Sequence, residues 1–309
     1  MKQLMGDILV SAFVGMVMPG ILLNTLAAVR ADPQASLQTE PTVAAILAQD
    51  VPEDPQEEYL VGVVLAEMPA SFETEALKAQ AVVARTYAAK AKQTGGKHGD
   101  GSVCADPSCC QGYVSQEAYL EKGGRPEDLK KVRDAVYATA GQVLTYEGSL
   151  IEATYFSCSG GTTEDAVAVW GTDFPYLRSV DSPGEEQGAH YRDSVTFTPV
   201  EVADRLGVTL SGRPEDWITA VTRTAGGGVD SMAIGGRYFT GTEIRQKLGL
   251  RSTAFTVTAS ESAVTIETRG YGHRVGMSQY GADAMAVEGY GYEEILAHYY
   301  QGTELVRPE

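Results

Sequence analysis

The stretch EEYLVGVVLAEMPASFETEALKAQAVVARTYAAKAK, residues 57–92, constrains this chain most. Tyr59 to Ala66 is almost wholly apolar, so a helix there must be buried on every side. Glu67 ends that run. Met68-Pro69 stops the helix, because the residue before a proline is pushed out of the α region. Ser71 is the expected N-cap of a second helix, with Glu73 and Glu75 in the first turn, where the helix dipole favours acids. Ala76, Leu77, Gln80, Ala81, Val83, Ala84, Tyr87 and Ala88 then recur at helical spacing, and the alanines permit close packing. The spacing therefore predicts two packed helices with one carboxyl at their junction.

A carboxyl at the end of a buried helix loses hydration, and desolvation disfavours its charged form. Held protonated, it can donate a proton to a leaving oxygen. The alternative is that Glu67 is a surface or capping residue, with Arg85 on the second helix as its salt-bridge partner.

With 309 residues the chain can form one large or two modest domains. Its 24 Lys+Arg against 41 Asp+Glu, a net charge of −17, argue against a general nucleic-acid binder. Neutral or weakly acidic polymers such as glycans remain compatible. No internal repeat, phosphate loop, GxSxG elbow or HExxH helix occurs, which removes the common nucleotide, esterase and metalloprotease readings.

Residues 1–30 run apolar from Ile8 to Val29 with Ser11, Asn24 and Thr25 as polar breaks. That is close to the ~20 residues needed to cross a bilayer. The segment is expected to be a single uncleaved transmembrane anchor, a cleaved signal peptide being the alternative. Residues 31–56 are polar, acidic and proline-bearing and read as an extracytoplasmic linker. A folded domain is expected over 57–309, outside the membrane.

The loop KQTGGKHGDGSVCADPSCCQGY, residues 92–113, places His98, Cys104, Cys109 and Cys110 close together in sequence. An imidazole and two or three thiolates suit tetrahedral zinc. A Cys104–Cys110 disulfide with His98 incidental is equally compatible with the spacing. Cys158 stands apart and reads as a small buried residue.

Further along, QVLTYEGSLIEATYFSCSGG alternates around Glu147-Gly148 as a β-hairpin. A loop containing Trp170 and Tyr176 is placed to lie over a groove. A short helix is expected at Pro199–Leu206, then two strands joined by Gly226-Gly227-Gly228 and a short helix capped by Thr240 or Thr242. Residues 255–268 alternate as another hairpin. His273 lies in a glycine-flanked loop, either donating to a ligand or bonding the loop backbone, before helices at about Ser278–Val287 and Tyr292–Tyr300. His190 and His298 read as ordinary residues, and Glu164 as part of a polar loop. The whole reads as α+β, a helical core packed with β-hairpins around a substrate groove.

Taken together, AEMPASFETEALKAQAVVARTYA, YFSCSGGTTEDAVAVWGTDFPYLRSVDSP and GYGHRVGMSQYGADAMA…ILAHYYQGTEL resemble the stage II sporulation protein D family in order and spacing. The resemblance spans roughly residues 57–305. It implies a membrane-anchored lytic transglycosylase cutting peptidoglycan glycan strands during engulfment in sporulation. It implies Glu67 as the catalytic acid and Arg85 as a residue associated with activity. Tyr155, Ser157, Ser159, His273, Ser278 and Gln279 fall in the shared motifs as candidate substrate-binding residues. Members with a histidine and cysteines before a CQ-x-Y motif bind zinc, which here implies His98, Cys104, Cys110 and Cys109 as ligands of a structural ion.

The implied substrate is glycan denuded of stem peptides by a partner amidase-endopeptidase, in a complex with a membrane protein of the septal space. A lytic transglycosylase needs one carboxyl, where two-carboxylate hydrolases need a pair across the bond. The alternatives are a non-catalytic or amidase-enhancing wall-binding module and a zinc hydrolase of peptide or amide bonds. One departure from the family pattern is Arg274, where a small residue is expected after the histidine.

Overall fold

The computed structural model describes residues 54–186 and 188–308. The expected anchor and nearly all of the linker lie outside the described residues, among which no helix is long and apolar enough to cross a membrane. The architecture is α+β.

Helix α1, Pro55–Glu67, starts at Asp54, whose side chain accepts from the Gln56 N–H, and carries a proline in its first turn. It stops at Met68, which is extended before Pro69. Helix α2, Thr74–Thr94, starts after Glu73, two residues later than expected. Ser71 is not the cap, because Phe72 bonds back to Pro69 in a turn that occupies those residues. Next come α3, Gln116–Glu121, and α4, Pro126–Ala138.

The expected hairpin is β1, Val143–Tyr146, with β2, Ser149–Leu150, closed by Glu147 and Gly148, both at positive φ (49° and 76°). The following strand β3, Tyr155–Phe156, leaves that hairpin and pairs elsewhere. Helix α5, Ala166–Trp170, strand β4, Arg192–Phe197, and helix α6, Pro199–Leu206, follow, the last with a complete capping box on Thr198. Strands β5 (Ile218–Arg223), β6 (Val229–Ile234) and β7 (Arg237–Thr240) form an antiparallel sheet, and helix α7, Gly241–Leu248, is capped by Thr240. The chain ends with β8 (Phe255–Ala259), β9 (Val264–Arg269), β10 (Met277–Ser278), α8 (Gln279–Val287), α9 (Tyr292–Tyr299) and β11 (Glu304–Val306).

These elements build two hydrophobic clusters. In the first, α1, α2, α4, α8 and α9 bury Leu60, Val61, Val63, Val64, Leu77, Val82, Val83, Leu129, Ile295 and Leu296. Each such side chain contributes about 1.5–3 kcal/mol of transfer free energy. In the second, the sheets β4-β9-β8 and β5-β6-β7 pack with α6 and α7 around Leu206, Trp217, Phe239, Ile244, Phe255 and Ile266.

Two features of the first cluster position the site. Gly62 lets the segment 111–114 cross α1, since a Cβ there would stand 2.4 Å from the Tyr113 ring and 2.7 Å from the Val114 carbonyl oxygen. Tyr113 stacks on Tyr59, with ring centroids 5.6 Å apart. Strands β3 and β10 pair in parallel, Met277 with Tyr155 and Ser278 with Phe156, so the residues that follow them, Ser157 and Gln279, emerge side by side.

Candidate active site and metal cluster

Glu67 ends α1 at the floor of an open cleft of about 320 Å³, whose walls include Ser157, His190, Gln279 and Tyr280. Among the described residues lining this cleft, Glu67 is the one carboxylate. Its Oε1 accepts the Gly112 N–H. Burial raises its pKa above the ordinary glutamate value, against the opposing effects of the Gly112 N–H and the Tyr155 hydroxyl, which favour the charged form. Tyr155 Oη also lies 3.3 Å from Gln111 Oε1, a second acceptor for its one hydrogen, and Gln111 Nε2 donates to Tyr59 at 3.1 Å. The acid therefore sits in a frame made by residues 111–112, Tyr155 and the end of α1.

His190 faces the same cleft, contrary to its reading as an ordinary residue. Arg251 Nη1 donates to its Nδ1 at 3.1 Å. Arginine is only a donor, so Nδ1 is the unprotonated nitrogen and Nε2 carries the hydrogen. Burial, then the Arg251 charge, lower its pKa and keep the ring neutral. Arg251 is itself held by Asp193 at 3.2 Å. No sequence pattern surrounds His190, and only the fold brings it to Glu67.

The other expected site residues divide. Ser157 and Gln279 line the cleft, and Gln279 Nε2 donates to Gln80 at 3.3 Å. Ser159 and Ser278 do not face the cleft: both are fully buried and donate to Glu185, at 2.9 and 2.5 Å. Glu185 is buried too, and also accepts from Cys158, Gly160 and Ser182, so a single carboxylate gathers the SCSGG loop and the start of α8. Cys158 is a buried residue, as expected.

His273 accepts the Val275 N–H at its Nδ1 (3.1 Å) and packs on Phe156 and Trp170. Burial first, then the Arg245 charge, push its pKa down to about 4, which makes it a neutral prop of its own loop.

Arg85 requires a correction as well. It is 1% exposed and bidentate to Glu57, with Nε–Oε1 3.0 Å and Nη2–Oε2 2.6 Å. It also donates to the carbonyls of Gln142 and Val136. Its partner is thus Glu57 at the start of α1, not Glu67 at the end, and it does not line the cleft.

In the loop after α2, the donor atoms of His98, Cys104, Cys109 and Cys110 all lie within 4.8 Å of one another, and the cysteines are free thiols. Cys110 Sγ stands 3.4 Å and Cys109 Sγ 3.8 Å from His98 Nε2, and the two sulfurs are 3.9 Å apart. Tetrahedral zinc with ordinary bond lengths would set S···S edges of roughly 3.8 Å and N···S edges of roughly 3.6 Å. The cluster has the dimensions of a tetrahedral metal site. Burial works to raise the Cys110 thiol, but the Cys104 backbone, Tyr87 from α2 and His98 outweigh it and hold the pKa at about 6. Such a thiol is ready to ligate as a thiolate. Gln111 and Gly112 follow Cys110 directly, so the cluster sits next to the backbone that supports Glu67.

Comparison with known proteins identifies the family. Residues 48–146 match the family model described as Stage II sporulation protein. The chain is 42% identical over 262 residues to the stage II sporulation protein D of Bacillus subtilis (strain 168), covering 83% of this chain and 76% of that protein. The protein of the same name from Bacillus amyloliquefaciens is also 42% identical, over 81% of this chain and 74% of its own length. The amidase enhancer of B. subtilis is 31% identical over 80% of this chain, but over 40% of its own length. With this identity across most of both sequences, the chain belongs to the stage II sporulation protein D family.

Proposed function

We propose that this protein is a lytic transglycosylase that cleaves peptidoglycan glycan strands to 1,6-anhydro-N-acetylmuramic ends during sporulation. The observation that carries the reading is a solitary, half-buried carboxyl with a raised pKa at the floor of an open cleft. Protonated Glu67 gives its proton to the glycosidic oxygen as the C1–O bond breaks. The resulting carboxylate then takes the proton of the sugar's C6 hydroxyl, and that oxygen closes on C1. One group serves in both directions, no water is consumed, and Glu67 ends protonated. The Gly112 N–H and Tyr155 hydroxyl stabilise the carboxylate between the two transfers, and His190 offers an Nε2–H donor to the sugar.

His98, Cys104, Cys109 and Cys110 would hold zinc, which, with all four positions filled by protein, would supply structural support to the loop rather than an activated water. The anchor at 1–30, an extracytoplasmic location in the septal space, denuded strands as substrate, and a partner amidase-endopeptidase with a membrane protein belong to the same proposal. The second reading is a non-catalytic, amidase-enhancing module, favoured by the likeness to the amidase enhancer.

Digestion of purified glycan strands, read by mass spectrometry, separates the two. Anhydro ends from the parent, lost by at least 10²-fold in Glu67→Gln, support the enzyme. Strand binding with no cleavage by the parent supports the module, and new amino groups would mark an amidase.

A further inference from the structure

In a chain of net charge −17, three arginines line one cleft, a depression of about 770 Å³ between the outward face of the β4-β9-β8 sheet and the β5–β6 turn. Arg192 on β4 and Arg269 on β9 are register partners. The Gly270 N–H bonds the Tyr191 carbonyl at 2.9 Å, so the neighbouring Arg192–Arg269 pair is of the non-hydrogen-bonded kind. Cβ atoms in such pairs stand ~4.5–5.5 Å apart, and like charges directly opposite destabilise a sheet. Arg223 reaches the same cleft, held by the carbonyls of Gly227 (2.9 Å) and Phe255 (3.0 Å) rather than by an acid. Of the cleft's two carboxylates, Asp193 is taken by Arg251, which leaves Glu267 against three guanidinium groups. The cleft therefore carries a net positive charge, and guanidinium forks match carboxylates bidentately.

The cleft adjoins the one that holds Glu67. His190 lines the Glu67 cleft and Arg192 this one, two residues further along, past a turn in which the Tyr191 N–H bonds the Gly188 carbonyl. Gly160, three residues after Ser157, packs against Arg269 so closely that a Cβ on it would stand 2.9 Å from the arginine's own Cβ. One polymer can therefore occupy both. A muramic acid residue stripped of its peptide carries a free lactyl carboxylate, repeated at every second sugar. Resting on the transglycosylase reading, we propose that Arg192, Arg269 and Arg223 form a subsite for the lactyl carboxylates of denuded strands, which selects such strands over peptide-bearing ones.

The test uses full-length protein carrying Glu67→Gln, so that strands are bound and not cut. Binding is measured for denuded strands, the same strands with carboxylates converted to methylamides, and peptide-bearing strands. Arg192→Gln with Arg269→Gln is expected to weaken binding of denuded strands by about tenfold, the loss of one charge-assisted contact. Methylamide conversion is expected to cost the parent a similar factor and to remove the difference between parent and variant. Lysine replacements, which keep the charge but not the fork, should recover part of the affinity, and glutamine variants that melt no lower than the parent, or slightly higher as the like-charge pair is relieved, exclude misfolding.

Equal binding of denuded strands by parent and glutamine variant, equal binding of methylamide strands by the parent, or no strand binding at all would overturn the subsite. Arginine-dependent binding that is as tight for peptide-bearing strands would overturn its lactyl assignment. Products from the Glu67 parent are scored separately: arginine-dependent binding without anhydro ends sinks the transglycosylase reading alone, and anhydro ends with arginine-independent binding sink the subsite alone.

Discussion

Glu67 has its pKa raised by burial while two donors, Gly112 and Tyr155, hold that rise in check. The balance leaves a carboxyl that can be both acid and base, and it predicts a definite pH response. Unfolded, the group titrates near 4.5; folded, it titrates higher. Below 4.5 both states are protonated and the group costs nothing. As pH rises through the raised value the folded state must carry a desolvated charge, so stability falls relative to acid pH. Glu67→Gln, which keeps the acceptor for the Gly112 N–H, is therefore expected to raise Tm at pH 7–8 and to leave it nearly unchanged at pH 4. Calorimetry at the two pH values checks this, and the parent's cleavage rate should decline above the same pKa as the acid form disappears. The position of this acid was legible in the sequence, because an apolar run with one carboxyl at its end allows few arrangements. Its supports were not legible: Gly112 lies 45 residues away and Tyr155 further still.

At the scale of elements, α1 and α2 are pinned together by Glu57, in the first turn of α1, and Arg85, in the middle of α2, which are 3% and 1% exposed. Breaking a buried ion pair costs about 3–5 kcal/mol, since it strands a charge. Arg85→Ala is expected to lower Tm steeply while the folded fraction keeps its rate per molecule. Replacing both partners by apolar residues of similar size should recover much of the stability. A rate lost at a temperature where the variant is fully folded would show that the arginine acts on the reaction itself. Helical spacing placed Arg85 on the correct helix but could not choose between two glutamates on α1, because the choice depends on how the antiparallel pair crosses.

The loop of residues 95–110 follows a similar logic. Its donor types were plain in the sequence and their convergence was not. One equivalent of zinc is expected in purified protein, and a site at one hundred times its dissociation constant contributes about 2.7 kcal/mol. Chelation should lower Tm, expose this loop to proteolysis and slow cleavage through the loss of the Gly112 support, with anhydro ends still the product. A protein with no metal and an unaltered rate in Cys110→Ser would remove the loop from the account.

Across the whole molecule, the two hydrophobic clusters meet at Arg274. Its Nη1 is 3.0 Å from Glu164 Oε1, and it also donates to the carbonyls of Ser159, Thr162 and Gly226. Glu164 in turn accepts from Gly228 and Thr224, in the turn between β5 and β6. The acid that reads as part of a polar loop is fully buried, and the glycines of that turn are needed because a Cβ on Gly228 would stand 2.4 Å from Glu164. Arg274 also has φ of 67°, a left-handed conformation that costs a non-glycine residue roughly 1–2 kcal/mol. This explains why a small residue is expected at its position, and the contacts of its buried guanidinium offset the strain.

Pattern reading recovers the strands and helices on either side of this joint, since each has its own period. It misses the joint, where one buried side chain overrules the local preference. Glu164→Gln leaves the guanidinium buried without a counter-charge and is expected to cost about 3–5 kcal/mol. Arg274→Gly relieves the backbone strain but strands the buried Glu164 carboxylate and the carbonyls of Ser159, Thr162 and Gly226, and is expected to cost a similar amount. Because the pair joins the clusters, the Glu164→Gln protein should unfold in two calorimetric steps, with the β4–β9 part melting first. A single transition at the parent's Tm in that variant would show that the clusters are held together elsewhere.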